Sequence, residues 1–278
     1  MRSTAVALLF FLSGFQISSG AEIVLKQALY EDSASLEAAI ASVTPERKWL
    51  DGGHWVAQGD VPSETYMWMA ANISPEFVSH NAARVSLPDS PSGQPRILLV
   101  QTSTPNSPSY NCHACGAILS AYALRLVNGQ IIVDASAPYL GSAGQWGMPP
   151  DLKEMKAIPV GKEGFLFAIV ESSVGQGSYA RWVSLIGLIG SKIAKLGVIE
   201  LDEDNLGECG DGEGQRECME TIGSFKMVAG QGLYKDLLVI RMTKTAGEKA
   251  KTQVARYRLE TSPSLQYREV DEKINNQK

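Results

Sequence analysis

Short apolar runs separated by glycine, proline, serine and asparagine fill the chain from Trp49 onwards. Residues 117–127 and 130–135 form two such runs, and Asn128-Gly129 lies between them. An Asn-Gly pair in this position indicates a hairpin, because both residues accept a positive φ. Other strand-like runs are residues 54–57, 65–69, 97–102, 165–170, 182–189, 193–201, 225–228, 237–244 and 253–260. The pattern predicts a mainly β fold, either an antiparallel sandwich or a propeller-like meander of hairpins.

The N-terminal part has a different, helical pattern. Asp32 and Ser33 can cap a helix, and apolar residues then recur at helical spacing until Pro45. We therefore expect a helical segment over residues 22–50, a single β-rich domain over 51–267 and a frayed polar tail over 268–278. Within the domain, residues 75–83 are expected to form one or two helical turns, and residues 86–95 a loop.

The first 21 residues have the features of a signal peptide. Met1-Arg2 carries a positive charge, residues 5–15 are mostly apolar, and Ser19-Gly20-Ala21 places small residues before a cleavage site. The apolar run is shorter than the roughly 20 residues that span a bilayer. We expect an exported protein without a transmembrane anchor, periplasmic in a Gram-negative cell and otherwise secreted.

The charge balance limits the class of partner. Twenty-five basic and 30 acidic residues give a formal net charge of −5. Without basic clusters, this balance argues against nucleic acid as the partner. A protein or a cell-envelope component remains as the expected ligand.

The four cysteines are the residues of this chain best suited to covalent chemistry or metal binding. Cys112 and Cys115 form a Cys-x-x-Cys pair, and Cys209 and Cys218 enclose a polar, glycine-rich loop. An even number of cysteines in an exported chain favours disulfides, and we expect the local pairs 112–115 and 209–218. Two alternatives remain open: a zinc site built from the four thiols, and a thiol-disulfide oxidoreductase that uses Cys112 and Cys115.

An acidic stretch near the second cysteine pair matches part of a calcium-binding loop. Asp202, Asp204, Gly207 and Glu213 fall at positions 1, 3, 6 and 12 of an EF-hand loop. Leu206 occupies position 5, where an oxygen ligand belongs. We expect a solvated acidic hairpin, and keep Asp202, Asp204 and Glu213 as a weak calcium candidate.

Two glycine-rich loops are further candidates. Residues 175–180 match the dinucleotide pattern G-x-G-x-x-A, but the following residues are β-like and do not open a helix, so we expect no nucleotide cofactor. Residues 141–150 contain Trp146, which either packs under the loop as its anchor, the interpretation we favour, or is presented to a ligand. Trp146 and Tyr179 together are the candidate binding surface.

Compact catalytic motifs are missing from the sequence. The chain has three histidines, no G-x-S-x-G elbow and no H-E-x-x-H pair. No cofactor is therefore expected, and whether the protein is an enzyme stays open, with a non-enzymatic binding protein as the leading hypothesis. An inhibitor or an immunity protein of an envelope-degrading enzyme would fit the expected compartment and fold.

Four short segments carry a resemblance to known proteins. They are Asn111-Cys112-His113-Ala114-Cys115-Gly116, Gly144-Gln145-Trp146-Gly147, Gly175-Gln176-Gly177-Ser178-Tyr179 and Asp204-Asn205-Leu206-Gly207. In these segments the chain resembles an uncharacterised group of bacterial exported β-rich proteins, over about residues 95–245. The third segment departs from the pattern by one inserted serine. The resemblance implies export and a β-rich architecture, and it transfers no activity.

Overall fold

A computed structural model describes residues 33–50, 53–58, 72, 74–113, 115–153, 155–162, 164–210 and 217–270. These residues form one helix, α1 (Ser33–Ala41), and two antiparallel sheets of six and eight strands. The mainly β class predicted from the sequence is therefore confirmed, and of the two predicted architectures the sandwich describes it. Within the described ranges, no helix is both long and apolar enough to cross a membrane.

The first sheet is a meander whose strands are hydrogen-bonded in chain order. Its strands are β1 (Arg47–Trp49), β2 (His54–Ala57), β3 (Glu76–Leu87), β4 (Arg96–Pro105), β5 (Ala117–Val127) and β6 (Gln130–Ala143). Asn128 and Gly129 turn the chain between β5 and β6 with φ angles of 50° and 80°. The predicted Asn-Gly hairpin is confirmed, with the bounds of β5 as predicted.

The second sheet is a longer meander, also in chain order. Its strands are β7 (Ile158–Gly161), β8 (Gly164–Gly175), β9 (Ser178–Ile189), β10 (Lys192–Asp204), β11 (Met219–Val228), β12 (Asp236–Thr245), β13 (Lys251–Glu260) and β14 (Gln266–Val270). This sheet curls towards a half-barrel, because the segment before β12 reaches back to the edge strand β7. Gly161 forms a bridge with Tyr234, and the Lys235 amide donates to the Val160 carbonyl at 2.6 Å.

Three apolar clusters cover the faces of the long strands. This explains why these strands are continuous apolar runs in the sequence. One cluster lies between the two sheets, a second fills the curl of the second sheet, and a third joins α1 to the outer face of the first sheet. In β5, Leu119 and Ala121 face the second sheet, whereas Tyr122 and Leu124 face α1. Both faces of β5 are therefore covered, so the polar half of the usual strand alternation is missing.

Three predictions about element bounds are wrong. Residues 75–83, expected to be helical, lie mostly in β3, where Phe77 stacks on Trp55 at 4.4 Å between ring centroids. A register shift between Asn81 and Ala83 interrupts the alternation of inward-facing and outward-facing residues in this strand. The two-residue period of a strand is therefore not apparent in the sequence. The helical segment ends at Ala41 and β1 follows within the same range, while β14 continues through Val270 into the expected tail. The strand predicted over residues 65–69 lies outside the described residues, as do residues 1–32 and 271–278.

Candidate functional site

All four cysteines are paired in two local disulfides. Cys112 is bonded to Cys115 with an S–S distance of 2.05 Å, and Cys209 to Cys218 at 2.04 Å. The predicted connectivity is confirmed. Because both bonds consume the thiolates that a zinc site would need, the zinc interpretation is wrong for this form of the chain.

The first disulfide fixes the β4–β5 loop to the end of the first sheet. Cys115 is 3% exposed and packs in a cluster with Trp55, Phe77 and Ile118. Tyr110 belongs to the same cluster, and its hydroxyl donates to the Gly116 carbonyl at 2.6 Å. Cys112, in contrast, is exposed. The disulfide therefore joins an exposed residue to a buried one.

The glycine-rich loop after β6 packs directly against this disulfide loop. The Gly147 amide donates to the Cys115 carbonyl at 2.7 Å. Gly147 has a φ of 71°, and a Cβ atom there would lie 1.9 Å from the Tyr110 carbonyl oxygen. Only glycine permits this close approach of two backbones.

Trp146 is presented rather than packed. Its side chain is 56% exposed, and its φ of 58° is left-handed, which is uncommon for a bulky residue. Our expectation that the ring anchors the loop from below is wrong. The loop is instead held by the backbone contact of Gly147, which leaves the indole free to point outwards.

Exposed and half-buried side chains gather around this indole and form what we call the Trp146 surface: His113, Gln145, Trp146, Met148 and Ser173. The rings of His113 and Trp146 meet edge to face at 5.0 Å between centroids. His113 Nε2 lies 3.3 Å from the Ser173 hydroxyl, which belongs to β8 of the second sheet. Met148 is 66% exposed. The surface therefore spans the ends of both sheets.

A cavity of about 270 Å³ lies beside the Trp146 surface and includes Met148, Glu171 and Trp182 in its lining. The Glu171 carboxylate accepts from the Gly144 amide at 2.6 Å and from the Ser184 hydroxyl at 3.2 Å. Gln145 Nε2 donates to the Ser172 carbonyl at 3.0 Å. These bonds tie the glycine-rich loop to β8 and β9, so the position of Trp146 is fixed from both sheets.

Tyr179 does not belong to the Trp146 surface. It pairs with Val174 across the β8–β9 hairpin, whereas the neighbouring residue Ser173 contacts His113. Successive residues of a strand point to opposite faces of the sheet, so Tyr179 and the Trp146 surface lie on opposite sides of this hairpin. On β10, Tyr179 is paired with Asp204, which places it beside the acidic stretch.

The candidate calcium ligands have other partners. Asp202 forms an ion pair with Arg181 at 2.7 Å and accepts from the Gly223 amide at 2.8 Å. Asp204 accepts from the Leu206 amide at 3.2 Å, and Glu213 lies outside the described residues. In the part of the chain that the structure describes, no three acidic, histidine or cysteine residues come close enough to hold a metal ion.

Residues 175–180 form a tight hairpin. Gln176 and Gly177 connect β8 to β9 with φ angles of 51° and 79°. A strand follows, as expected, so this turn has no helix N-terminus on which a pyrophosphate could sit.

A serine hydroxyl and an exposed histidine ring meet at the Trp146 surface. A serine hydroxyl close to a histidine ring is one part of a nucleophilic triad. Here, however, His113 is exposed, and among the described residues no carboxylate hydrogen-bonds to its ring. An exposed indole next to an imidazole on a fixed loop instead offers a ligand a large contact area at a low entropic cost.

Sequence reasoning missed a second cavity, at the other end of the sandwich. It has a volume of about 920 Å³ and includes Arg96, Arg125, Asp134 and Lys162 in its lining. Arg96 and Arg125 are register partners on β4 and β5. The sequence did contain one signal for this cavity, because the two arginines lie at corresponding ends of adjacent predicted strands.

The fold and its loops define a class of protein, an antiparallel β-sandwich with two disulfide-stapled loops and an exposed aromatic surface at one end. Comparison with known proteins adds no relative, because no family model, curated protein or solved structure matches the chain significantly.

Proposed function

We propose that the chain is an exported, non-enzymatic binding protein that meets a protein or a cell-envelope component through the Trp146 surface. The observation that carries the proposal is the 56% exposure of Trp146 on a loop held from both sheets. Tryptophan is enriched among the residues that dominate binding energy, and a fixed loop loses little entropy on association.

The proposed export draws on two observations. Residues 1–21 have the charged, apolar and small-residue order of a signal peptide. Both cysteine pairs form disulfides, which persist in oxidising compartments. A periplasmic location in a Gram-negative cell, or secretion otherwise, is part of the same proposal, and so is the kinship with exported β-rich proteins.

The role of Trp146 is tested with immobilised mature protein and two bacterial probes, purified sacculi and detergent-solubilised envelope proteins. Retention of one probe should fall by about tenfold or more in Trp146→Ala, because truncating a central anchor removes most of the contact energy. Leu233→Ala is the matched control, since Leu233 is 88% exposed and lies outside the Trp146 surface. Equal retention by the two variants would contradict the proposal.

A second candidate function, thiol-disulfide exchange, is favoured by one observation. Cys112 is exposed whereas Cys115 is 3% exposed, so an incoming thiolate approaches the bond from the Cys112 side. The residues after Cys115 form β5 rather than a helix, so the helix N-terminus that commonly stabilises a reactive thiolate is missing here.

Mass spectrometry of alkylated protein separates the two candidates. The intact chain is incubated in a glutathione buffer, quenched with an alkylating agent at acidic pH and digested. A binding protein should retain both disulfides. Opening of the 112–115 bond with the 209–218 bond intact, seen as glutathione on Cys112 with Cys115 alkylated or as alkylation of both cysteines, would favour the oxidoreductase and count against a purely structural bond.

A further inference from the structure

The larger cavity lies at the end of the sandwich opposite the Trp146 surface. It is bounded by the β3–β4 loop of the first sheet and by the β7–β8 and β9–β10 turns of the second. We call it the Arg96 cavity; its charged lining residues are Asp89, Arg96, Arg125, Asp134 and Lys162. Its volume of about 920 Å³ is that of a site for a small organic molecule.

The wall formed by the β3–β4 loop is preorganised. The Gln94 side-chain oxygen accepts from Arg125 Nη1 at 3.0 Å and from the Ser90 hydroxyl at 2.9 Å. The loop also closes on itself, because the Ser90 amide donates to the Gln94 carbonyl at 2.9 Å. A ligand would therefore meet a formed cavity and would not need to order this loop.

The charges of the cavity favour an anion. Three cations and two carboxylates line it, so its formal charge is +1 within a chain whose formal charge is −5. Arg125 holds Asp134 through both Nε and Nη2, at 3.1 and 2.9 Å. This pairing raises the pKa of Arg125 and neutralises one cation with one carboxylate.

Two cations, Arg96 and Lys162, and the exposed carboxylate of Asp89 remain in the lining. Arg96 approaches the Asp134 carboxylate only at 3.8 Å, beyond hydrogen-bonding distance. Lys162 is exposed, and no described carboxylate lies within ion-pair distance of its ammonium group. One guanidinium and one ammonium group therefore retain hydrogen-bond donors at the cavity.

The remaining lining is partly apolar. Leu188 is 1% exposed and belongs to the core between the sheets, and Phe165 packs against that core. Pro88 and Pro91 belong to the loop wall. A ligand that fits this lining has an apolar body as well as a charged head.

We propose that the Arg96 cavity binds a small organic anion, whose anionic head meets Arg96 and Lys162 and whose apolar body lies against Phe165 and the prolines of the loop wall. This site is separate from the Trp146 surface. Its occupancy does not depend on the proposed binding function, and either proposal can fail alone.

Calorimetric titration of the intact chain with sodium octanoate tests this site, with octylamine as the probe of opposite charge. Octanoate should bind saturably and octylamine should not. Lys162→Gln should weaken octanoate binding by about tenfold, because it removes a charge-assisted contact. Lys244→Gln is the matched control, since Lys244 is exposed on β12 and does not line the cavity.

Arg96→Gln provides a second variant and should also weaken octanoate binding. Near-ultraviolet circular dichroism checks that each variant is folded; Lys162 is exposed, so its replacement leaves the core intact. The proposal is overturned if octanoate shows no saturable binding, if octylamine binds equally well, or if folded Lys162→Gln binds octanoate as the unsubstituted chain does.

Discussion

At the scale of single residues, Arg47 is the least expected side chain of the core. It is 4% exposed, and its guanidinium group lies 4.3 Å from the centre of the Trp55 ring and 4.9 Å from that of Tyr139. Its Nη2 donates to the Ser120 hydroxyl at 2.8 Å and also to the Pro138 carbonyl. One arginine thereby joins the short edge strand β1 to β5 and β6.

Replacing this arginine should destabilise the fold. Arg47→Ala leaves a cavity among aromatic rings and removes the hydrogen bonds that Arg47 donates to the Ser120 hydroxyl and the Pro138 carbonyl, so we expect a loss of about 2–4 kcal/mol in the free energy of unfolding. Urea denaturation measures this. Lys48→Ala is the control, since Lys48 is exposed on the same strand. Equal midpoints for the two variants would contradict the structural role of Arg47.

A second prediction at this scale concerns acid stability. Glu76 pairs with His54 and accepts from Asn106 Nδ2 at 3.0 Å. These two hydrogen bonds, the one from His54 being the stronger influence, lower the pKa of Glu76 below its ordinary value of 4.5. The unfolded chain therefore binds this proton before the folded chain does. The stabilisation is present above about pH 4.5 and is lost as the pH falls through the lower, folded-state pKa.

Thermal melts from about pH 3 to about pH 7 test this linkage. Glu76→Gln should reduce the decline of the melting temperature at acidic pH. Glu37→Gln, at an exposed position of α1, should leave that decline unchanged. An acid limb of unchanged slope in Glu76→Gln would show that the pair does not contribute.

Residue-level prediction from sequence succeeded where the cause is local. The Asn128-Gly129 turn and the disulfides 112–115 and 209–218 depend on neighbours within about ten residues, and the sequence indicated each of them. Trp146 was wrongly expected to be packed because its left-handed backbone is set by the contact of Gly147 with Tyr110, 37 positions away. No pattern around Trp146 reports that contact.

At the scale of elements, the glycine-rich loop is the part whose shape determines a candidate site. Gly147→Ala should disrupt it, because the new Cβ would lie 1.9 Å from a backbone oxygen at a φ that disfavours alanine. We expect a loss of about 2–3 kcal/mol in unfolding free energy. The emission of Trp146 should also change as the indole leaves His113.

Gly175→Ala is the matched control for this loop. Gly175 is the last residue of β8; a Cβ there meets no atom within 4 Å, and its φ is not left-handed. It should change stability by no more than about 0.5 kcal/mol. Equal melting temperatures for Gly147→Ala and Gly175→Ala would show that the close approach at Gly147 does not hold the loop.

At the scale of the whole molecule, two meanders of hairpins place one candidate surface at each end of a sandwich. The sequence indicated the hairpins, because each is a local pattern, but not how the two sheets pack. Their pairing depends on residues far apart, such as Leu119 and Phe167 in the core between the sheets. The curl of the second sheet likewise depends on the bridge from Gly161 to Tyr234. The cavity between the sheet ends therefore could not be foreseen from any segment alone.

Five buried or half-buried tyrosines predict how the whole molecule responds to alkali. Burial raises the pKa of Tyr110, Tyr122, Tyr139, Tyr257 and Tyr267 above the ordinary value of 10.0. Above about pH 10 the unfolded chain releases these protons while the folded chain keeps them, so the free energy of unfolding should fall as the pH rises. Tyrosinate absorbance and near-ultraviolet circular dichroism are followed together, and these five tyrosines should ionise only as the dichroism signal is lost. Tyr267→Phe should make the alkaline decline shallower, since Tyr267 then no longer ionises on unfolding; ionisation of more than four of the nine tyrosines in a chain that stays folded would refute this account of the burial.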